Sequence, residues 1–396
     1  MMAGFVAGWP ALLSISMMFF GLTALWGHHP RQWLQQQWWL LGLPWVLLYA
    51  LSWFWSGNKG LWATLVQIKL PFLLLPLAFS LLPAFSARQL RAFTLLLFLI
   101  LFAGMGYSLF SFLENTTAFI ASYKYAKLIP SPADGDHIRF STMVALAFCW
   151  GMYQWPLLPQ KWMRWLLGFT LVFSFCYLHL LAAKTGLLLL YVFLITFIVY
   201  LLTQKKQRLK GIALLVLAIA GVALAYYLMP TFSERIGYTW YSISEFRLGE
   251  RSGSYSDIGR IISYEIALHL IRDFPMLGVG VGDLLNAMSM GYDLYYPQIP
   301  TAQRLIPHNQ LLTIALGAGL PAALLFIIWL LQPFTESRKG RSGFFFLAAW
   351  LMLFAALQTD AMLEVQYGVF VFLFFLCWFW HSLRQTEAIN PPVKKP

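Results

Sequence analysis

The chain alternates between long apolar runs and short polar connections. Inside a bilayer only a helix satisfies its own backbone hydrogen bonds within one segment, and about 20 apolar residues in a helix cross a hydrocarbon core of ~30 Å. About eleven runs meet this requirement. They lie near residues 4–26, 38–56, 66–84, 91–113, 138–156, 164–182, 185–203, 211–229, 308–332, 343–358 and 365–383. The pattern predicts an all-α polytopic membrane protein with about 11 to 12 transmembrane helices. Residues 59–70 are predicted either to lie at the interface or to break the chain before the third span.

Composition supports a membrane protein and excludes a water-soluble globule. Hydrophobic residues make up 60% of the chain and charged residues only 11%, and the mean hydropathy is +0.68. The first apolar run has no basic residue before it and no small-residue cleavage site after it, so we interpret it as an uncleaved helix. Cys149, Cys176 and Cys377 lie inside predicted spans, which favours apolar packing over disulfides or metal ligands.

The positive charges predict the topology. One set of alternate connections holds 15 of the 27 basic residues and only two acids, Glu336 and Glu387. Because Lys and Arg in short loops stay on the cytoplasmic side of a membrane, these connections are predicted to be cytoplasmic. The basic residues of this set are Arg31, Arg88, Arg91, Lys161, Arg164, Lys205, Lys206, Arg208, Lys210, Arg338, Lys339, Arg341, Arg384, Lys394 and Lys395.

The other set of connections is predicted to face the periplasm. It carries 13 of the 15 acids and includes two larger loops, residues 114–137 and 230–307, the second with amphipathic helices. An odd number of spans with a cytoplasmic tail puts the N-terminus outside. The net charge of +12 follows from this asymmetry and from attraction to anionic lipid headgroups, with no basic groove for nucleic acid. Residues 1–396 are predicted to form a single integral-membrane domain.

Four charged or ionisable residues stand at the outer ends of predicted spans, where a desolvated ion is costly. Arg139 begins the fifth span, Lys184 lies between the sixth and seventh, Arg260 lies near the start of a loop helix, and His308 opens the ninth span. A single cation is more typical of an interfacial anchor. Three of them with a histidine at similar depth favour a site for a phosphate or pyrophosphate headgroup. His308 is suited to general-base chemistry near neutral pH.

Other motifs have ordinary interpretations that we favour. Asp134-Gly135-Asp136 matches the metal-binding pattern of some glycosyltransferases, but it lies in a proline-headed loop that is typical of a turn. Residues 278–282, GVGVG, follow a helix and not a strand, so we predict a tight turn, with Asp283 capping what comes next. Glu364 and Gln366 either line the cavity or hydrogen-bond the loop, and we favour the structural role. His179 and His269 are interpreted as packing residues.

Several segments resemble one family. FPMLGVGVGD (274–283) followed by PHNQLLTIALGAGLP (307–321) resembles the signature of the O-antigen ligase and polymerase superfamily. In that superfamily an Arg precedes a PLLGVG-like turn and an outer-face His-Asn opens a helix. The similarity extends over most of the chain and is closest to the O-antigen ligase branch of Bacteroidetes-type envelopes. The segments that carry it are KLPFLLLPLAF (69–79), HIRFS (137–141), AAKTGLLLLY (182–191) and MLEVQYGVFVFLFF (362–375).

The resemblance implies a GT-C-like membrane glycosyltransferase in the bacterial inner membrane, with its large loop packed over a periplasmic cavity. The implied reaction moves a glycan from undecaprenyl diphosphate to an acceptor hydroxyl, that of lipid A-core oligosaccharide for ligases, with inversion and without a metal or cofactor. The base is then His308, and Arg260 is one diphosphate ligand. The second falls on Lys184, where the family has an Arg and where a lysine lacks the guanidinium fork. Arg139 is an additional contact, and Asn309 fixes the ring of His308 or contacts the acceptor.

Other functions remain open at this point. A polymerase joining repeat units uses the same donor and the same cations, and protein O-oligosaccharyl transfer is a further variant. A transporter for lipid-linked glycans would also use outer-face cations. We expect a transporter to have pseudo-symmetric halves with helices interrupted at the midplane, and the sequence suggests neither.

Overall fold

The computed structural model describes residues 1–26, 28–123, 128–248, 256–335 and 340–389. Within these ranges every regular element is helical and none is a strand. The α-helices in chain order are α1 (Met2–Val6), α2 (Pro10–Leu25), α3 (Pro30–Trp33), α4 (Gln37–Leu51), α5 (Lys59–Lys69), α6 (Pro71–Leu81), α7 (Ala87–Glu114), α8 (Thr116–Tyr123), α9 (His137–Gln154), α10 (Lys161–Leu181), α11 (Lys184–Thr203), α12 (Arg208–Leu228), α13 (Pro230–Arg247), α14 (Ser256–Asp273), α15 (Leu284–Tyr295), α16 (Gln310–Leu331), α17 (Gly340–Thr359) and α18 (Gln366–Ile389).

The predicted membrane class is confirmed. In the described part of the chain, 8 helical segments are long and apolar enough to cross a membrane. They are Lys59–Leu81, Ala87–Glu114, Lys161–Leu181, Lys184–Thr203, Lys205–Leu228, Gln310–Thr335, Gly340–Thr359 and Gln366–Leu383. The other three predicted spans are also helices, but α2, α4 and α9 are shorter or less apolar, with 16, 15 and 18 residues.

Burial divides these helices into central and peripheral ones. The most apolar window of α18 is 89% buried inside the protein, whereas that of α12 is only 11% buried. The exposed face of α12 consists of large apolar side chains such as Leu217 and Ile219. A continuous apolar surface of this kind is energetically unfavourable in water, so the exposed face of α12 is suited to contact with lipid.

Aromatic packing holds α4 and α6 against α16 at the centre of the bundle. The ring of Trp45 lies 5.1 Å from that of Phe326 and 4.9 Å from that of Phe72, both edge-on. Trp38 stacks on Trp329 at 5.5 Å. All five side chains are buried, and edge-on and offset arrangements of this kind stabilise a packed core beyond the area they bury.

Helix α16 is interrupted near its middle. Gly319 has φ 87° and ψ 165°, a conformation that only glycine adopts readily, and Pro321 has no N–H to donate. The carbonyls of Leu316 and Gly317 therefore lack partners within the helix. A buried carbonyl without a partner is costly, so these two groups need donors from another segment.

Residues 278–282 supply those donors and form the predicted tight turn. Gly278 and Gly280 have positive φ angles of 67° and 95°. The N–H groups of Val279 and Gly280 donate to the two free carbonyls of α16, at 2.8 and 3.1 Å. The turn that joins α14 to α15 is thus fixed to the interrupted helix by backbone hydrogen bonds.

Two sequence-based interpretations need refinement. Residues 59–69 form α5, and Leu70 joins α5 to α6 with helical backbone angles, so Lys59–Leu81 is one nearly continuous helix. All three cysteines are free, and Cys149 and Cys377 are buried as predicted. The packing interpretation of Cys176 is wrong, because it lies on the exposed face of α10.

Candidate active site

His308 is held by a carboxylate that the sequence analysis did not select. It lies just before Asn309, the N-cap residue of α16, and its Nδ1 is 2.9 Å from Oδ1 of Asp360. Burial raises the pKa of Asp360, but the hydrogen bond to His308 and the charge of Arg139 outweigh burial, and the pKa lies below its ordinary value. An ionised carboxylate only accepts hydrogen bonds, so Nδ1 carries the proton. In the neutral form of this ring, Nε2 then has the lone pair.

Arg139 holds the same carboxylate from the other side. Its guanidinium forms an ion pair with Oδ2 of Asp360 and lies 3.5 Å from Oδ1 of Asp136. Asp136 is the N-cap of α9 and accepts a hydrogen bond from the backbone N–H of Arg139 at 3.1 Å. The first turn of α9 therefore places Arg139 beside Asp360. The two carboxylates neutralise most of the charge of Arg139 within the protein.

The segment around His308 is joined to the connection between α17 and α18. Asn309 donates from Nδ2 to Oε1 of Gln358 at 2.9 Å, and its Oδ1 caps the first turn of α16. Gln310 accepts at Oε1 from the N–H of Leu363 at 2.7 Å. The sequence predicts that Asn309 either fixes the ring of His308 or contacts the acceptor. The first alternative is wrong, because Asp360 contacts the ring and Asn309 fixes the backbone, whereas contact with the acceptor stays a prediction.

A buried polar cluster lies beside this junction. Nζ of Lys69 is 2.9 Å from Glu364 and donates to the carbonyl of Leu363 at 2.6 Å. Glu364 also accepts from Gln310 at 2.7 Å and from Tyr49 at 3.1 Å. Every polar atom of the carboxylate thus has a partner, and Glu364 has a structural role as we favoured.

Gln366 is likewise structural. Its amide donates to the carbonyl of Pro10 at 3.1 Å and to the hydroxyl of Ser14, so it attaches the start of α18 to α2.

The packing interpretation of His179 and His269 also agrees with their contacts. His179 bonds the carbonyl of Phe175 and the hydroxyl of Tyr191, and His269 stacks on a tyrosine ring.

Lys184 is placed as predicted but is already paired. It is the first residue of α11, and its ammonium group forms an ion pair with Asp257 in the first turn of α14. The ring of Tyr238 lies 5.7 Å from Nζ. Helix α14 begins at Ser256 and ends at Asp273, before Pro275.

Arg260 is the predicted cation whose charge acts on both ion pairs. It interacts electrostatically with Asp360 and with Lys184. Four residues after it on α14, Tyr264 donates its hydroxyl hydrogen to the carbonyl of His308 at 2.7 Å. Helix α14 therefore lies beside the His308–Asp360 pair. Among the residues that the structure describes, none is ion-paired or hydrogen-bonded to the guanidinium of Arg260.

A further cation, Arg235, was missed by the sequence analysis. It lies on α13, is only 9% exposed, and interacts electrostatically with Asp257 and Arg260. Its Nε and Nη1 atoms have no hydrogen-bond partner in the part of the chain that is described. The sequence pattern gave little sign of it, because α13 is neither a predicted span nor preceded by a family motif.

The remaining predicted motifs lie in turns. Asp134-Gly135-Asp136 is a turn in which Asp134 and Gly135 have positive φ angles. Asp283 does not cap α15 with its side chain, so that prediction is wrong. Its carboxylate accepts instead from the backbone N–H groups of Gly57 and Asn58, at 2.5 and 3.0 Å. Asp283 thus attaches the turn between α14 and α15 to the start of α5.

The structure brings the four predicted residues into one neighbourhood. His308 and Arg139 share Asp360, and the charge of Arg260 attracts Asp360 and repels Lys184. Fold and site together define a multi-span membrane protein with a His–Asp pair beside a group of cations. That arrangement suits acid–base chemistry on an anionic substrate.

The family comparison agrees with this class. Residues 169–327 match the family model described as O-antigen ligase, a range that includes Lys184, Arg235, Arg260 and His308. The match confirms the resemblance to the O-antigen ligase and polymerase superfamily, a glycosyltransferase-type family, and does not distinguish its branches. A search of the curated proteins finds no match.

Proposed function

We propose that the protein transfers a glycan from undecaprenyl diphosphate to a hydroxyl of lipid A-core oligosaccharide, as an inverting, metal-independent O-antigen ligase. The observation that carries the proposal is the His308–Asp360 pair next to Arg260. A general base and a fixed cation within one small region are what transfer from a diphosphate leaving group requires. The family match over residues 169–327 supports the same reaction class.

In the proposed step, Nε2 of His308 removes the proton from the acceptor hydroxyl. The acceptor oxygen attacks the anomeric carbon of the donor sugar on the face opposite the diphosphate. The bond between that carbon and the phosphate oxygen breaks, and undecaprenyl diphosphate leaves with the electron pair. One displacement of this kind inverts the anomeric configuration and requires no covalent intermediate on the protein.

Asp360 and the cations have separate parts in this step. Asp360 accepts the Nδ1 hydrogen of His308 and stabilises the imidazolium that forms when Nε2 takes the proton. Arg260 faces the charge that develops on the departing diphosphate. The ion pair with Arg139 keeps Asp360 ionised and oriented, so Arg139 acts on the base through Asp360 and not through the substrate.

The site is proposed to face the periplasm of the inner membrane. Basic residues predicted to be cytoplasmic lie at the opposite ends of the helices. Arg341, at the start of α17, donates to the carbonyls of Met152 and Tyr153 near the end of α9, whose other end carries Arg139. A lipid-linked donor then reaches the cations from the outer leaflet.

Deletion of the gene tests the acceptor. If the protein is a ligase, the deletion strain accumulates lipid-linked polymer and bare lipid A-core. If it is a polymerase on the same donor, the core instead carries one repeat unit. Unchanged polysaccharide on the core would contradict both functions. Complementation with the wild-type gene and with H308A separates loss of chemistry from loss of the protein.

A further inference from the structure

The charges at the site are not equally available to a substrate. Arg139 is paired with Asp360 and Asp136, and Lys184 is paired with Asp257. An ion pair of this kind is broken only at a cost, because the carboxylate would be left without its partner. Two of the predicted anion ligands are therefore already engaged within the protein.

Arg235 differs in degree, because it forms no ion pair with a described residue, whereas Arg139 has ion pairs and only its Nε lacks a partner among those residues. The side chain of Arg235 is buried to about nine-tenths, and within the described residues two of its guanidinium nitrogens have no hydrogen-bond partner. Its neighbours are the ring of Tyr238, with the guanidinium carbon 5.6 Å from the ring centre, and the charges of Asp257 and Arg260. A buried guanidinium with unused donors is costly unless a ligand completes its hydrogen bonds.

The fold holds Arg235 at this position. The first turn of α13 is attached to the end of α10, where Thr231 donates to the carbonyl of Leu180 at 2.7 Å. Phe232 packs on the ring of His179 at 5.1 Å. Arg235 follows one turn later, and Tyr238 contacts both Arg235 and Lys184. The position of Arg235 therefore depends on helix packing and not on an ion pair with a described residue.

We propose that Arg235 and Arg260 are the two guanidinium groups that hold the donor diphosphate. In this arrangement Lys184 is not the second ligand but a positioning residue, which holds Asp257 and the start of α14. Arg235 supplies the planar donor group that a lysine at position 184 lacks. This assignment rests on the proposed function for the identity of its ligand, a lipid diphosphate.

Five variants of purified protein in nanodiscs test the assignment. R235A and R260A each remove one guanidinium, K184A removes the paired lysine, and R235K keeps the buried charge without the planar fork. R247A is the matched control, because Arg247 is an exposed arginine on the same helix as Arg235. The measurements are the Kd for undecaprenyl diphosphate and its displacement by inorganic pyrophosphate, neither of which requires glycan transfer.

R235A and R260A are each expected to raise this Kd about tenfold or more, since each removes charged hydrogen bonds to phosphate. K184A is expected to have a smaller effect, and R247A to bind as the wild type does. R235K tests the case in which R235A does not fold, and its Kd is expected to rise at least about threefold. A wild-type Kd for R235A or R235K, with the fold verified by thermal unfolding, would overturn the assignment.

Two further comparisons separate the possible failures. If the wild type transfers glycan and R235A binds donor normally, the assignment is wrong and the proposed function stands. If the wild type neither binds undecaprenyl diphosphate nor transfers glycan, both are wrong. Nanodiscs with and without phosphatidylglycerol distinguish the diphosphate from an ordinary anionic headgroup. The same Kd is expected in both, and competition by phosphatidylglycerol that disappears in R235A would assign Arg235 to the headgroup instead.

Discussion

Replacement of Asp360 by Asn tests how the base is built. The substitution keeps the size of the side chain and an oxygen that accepts from Nδ1 of His308, 2.9 Å away. It removes the negative charge that stabilises the imidazolium and that pairs with Arg139. The change therefore addresses charge at the base and leaves the direct ligands of the donor in place.

The expected magnitude follows from the contact that is lost. A hydrogen bond to a charged group contributes about 1.5–3 kcal/mol, and Asp360 is largely buried, so solvent screens this charge little. Because about 1.4 kcal/mol corresponds to a tenfold change in rate, kcat is expected to fall roughly 10- to 100-fold in D360N. The KM for the lipid-linked donor is expected to change little.

The assay measures transfer of glycan from purified undecaprenyl diphosphate donor to lipid A-core under steady-state conditions. D293N is the matched control, since Asp293 is also paired with an arginine but is 65% exposed on α15. It is expected to retain the wild-type kcat. A wild-type kcat for D360N, or an effect confined to the donor KM, would refute the assignment of Asp360 to the base.

Three further predictions concern stability, measured by thermal unfolding. The folded pKa of Asp360 is depressed, so its contribution is present above the unfolded pKa of about 3.9 and is lost as the pH falls through the folded value; D360N should show a flatter acid limb, and identical limbs would contradict the pairing. K69M leaves Glu364 buried without its ion-pair partner and should lower the stability by about 3–5 kcal/mol, whereas K69M/E364L should recover only part of it, because Tyr49 and Gln310 then lose their acceptor; equal stability of K69M and the wild type would refute the role of this pair. G319A places a Cβ 2.1 Å from the carbonyl oxygen of Met276 at a positive φ and should cost at least about 1–3 kcal/mol, unlike G106A, whose Cβ meets nothing within 4 Å; similar effects of the two would contradict the interrupted helix.

Most of the fold was predictable because the length of each apolar run matches the thickness of the bilayer that a helix must cross. All eleven predicted spans are helical, including the short α2 and α4. The interruption of α16 was not predicted. Its cause is non-local, because Gly319 adopts its conformation only where the turn at residues 278–282 supplies donors to the free carbonyls.

The site was predictable only in part. Arg139, Lys184, Arg260 and His308 were predictable, since charged or ionisable residues at the outer ends of apolar spans are rare and costly. Asp360 stands in the same kind of position, directly after α17. Which charges pair with which depends on tertiary contacts. The sequence therefore did not distinguish Lys184, which is paired with Asp257, from Arg235, which has two guanidinium nitrogens without a hydrogen-bond partner among the described residues.

The most direct test of the central claim is a comparison of the wild type with H308A. Both proteins are reconstituted in nanodiscs and supplied with lipid-linked glycan and lipid A-core, and donor binding is measured in parallel with transfer. We predict that H308A binds undecaprenyl diphosphate with nearly the wild-type Kd and forms no detectable product. Transfer by H308A at the wild-type rate would show that His308 is not the base and would contradict the proposed mechanism.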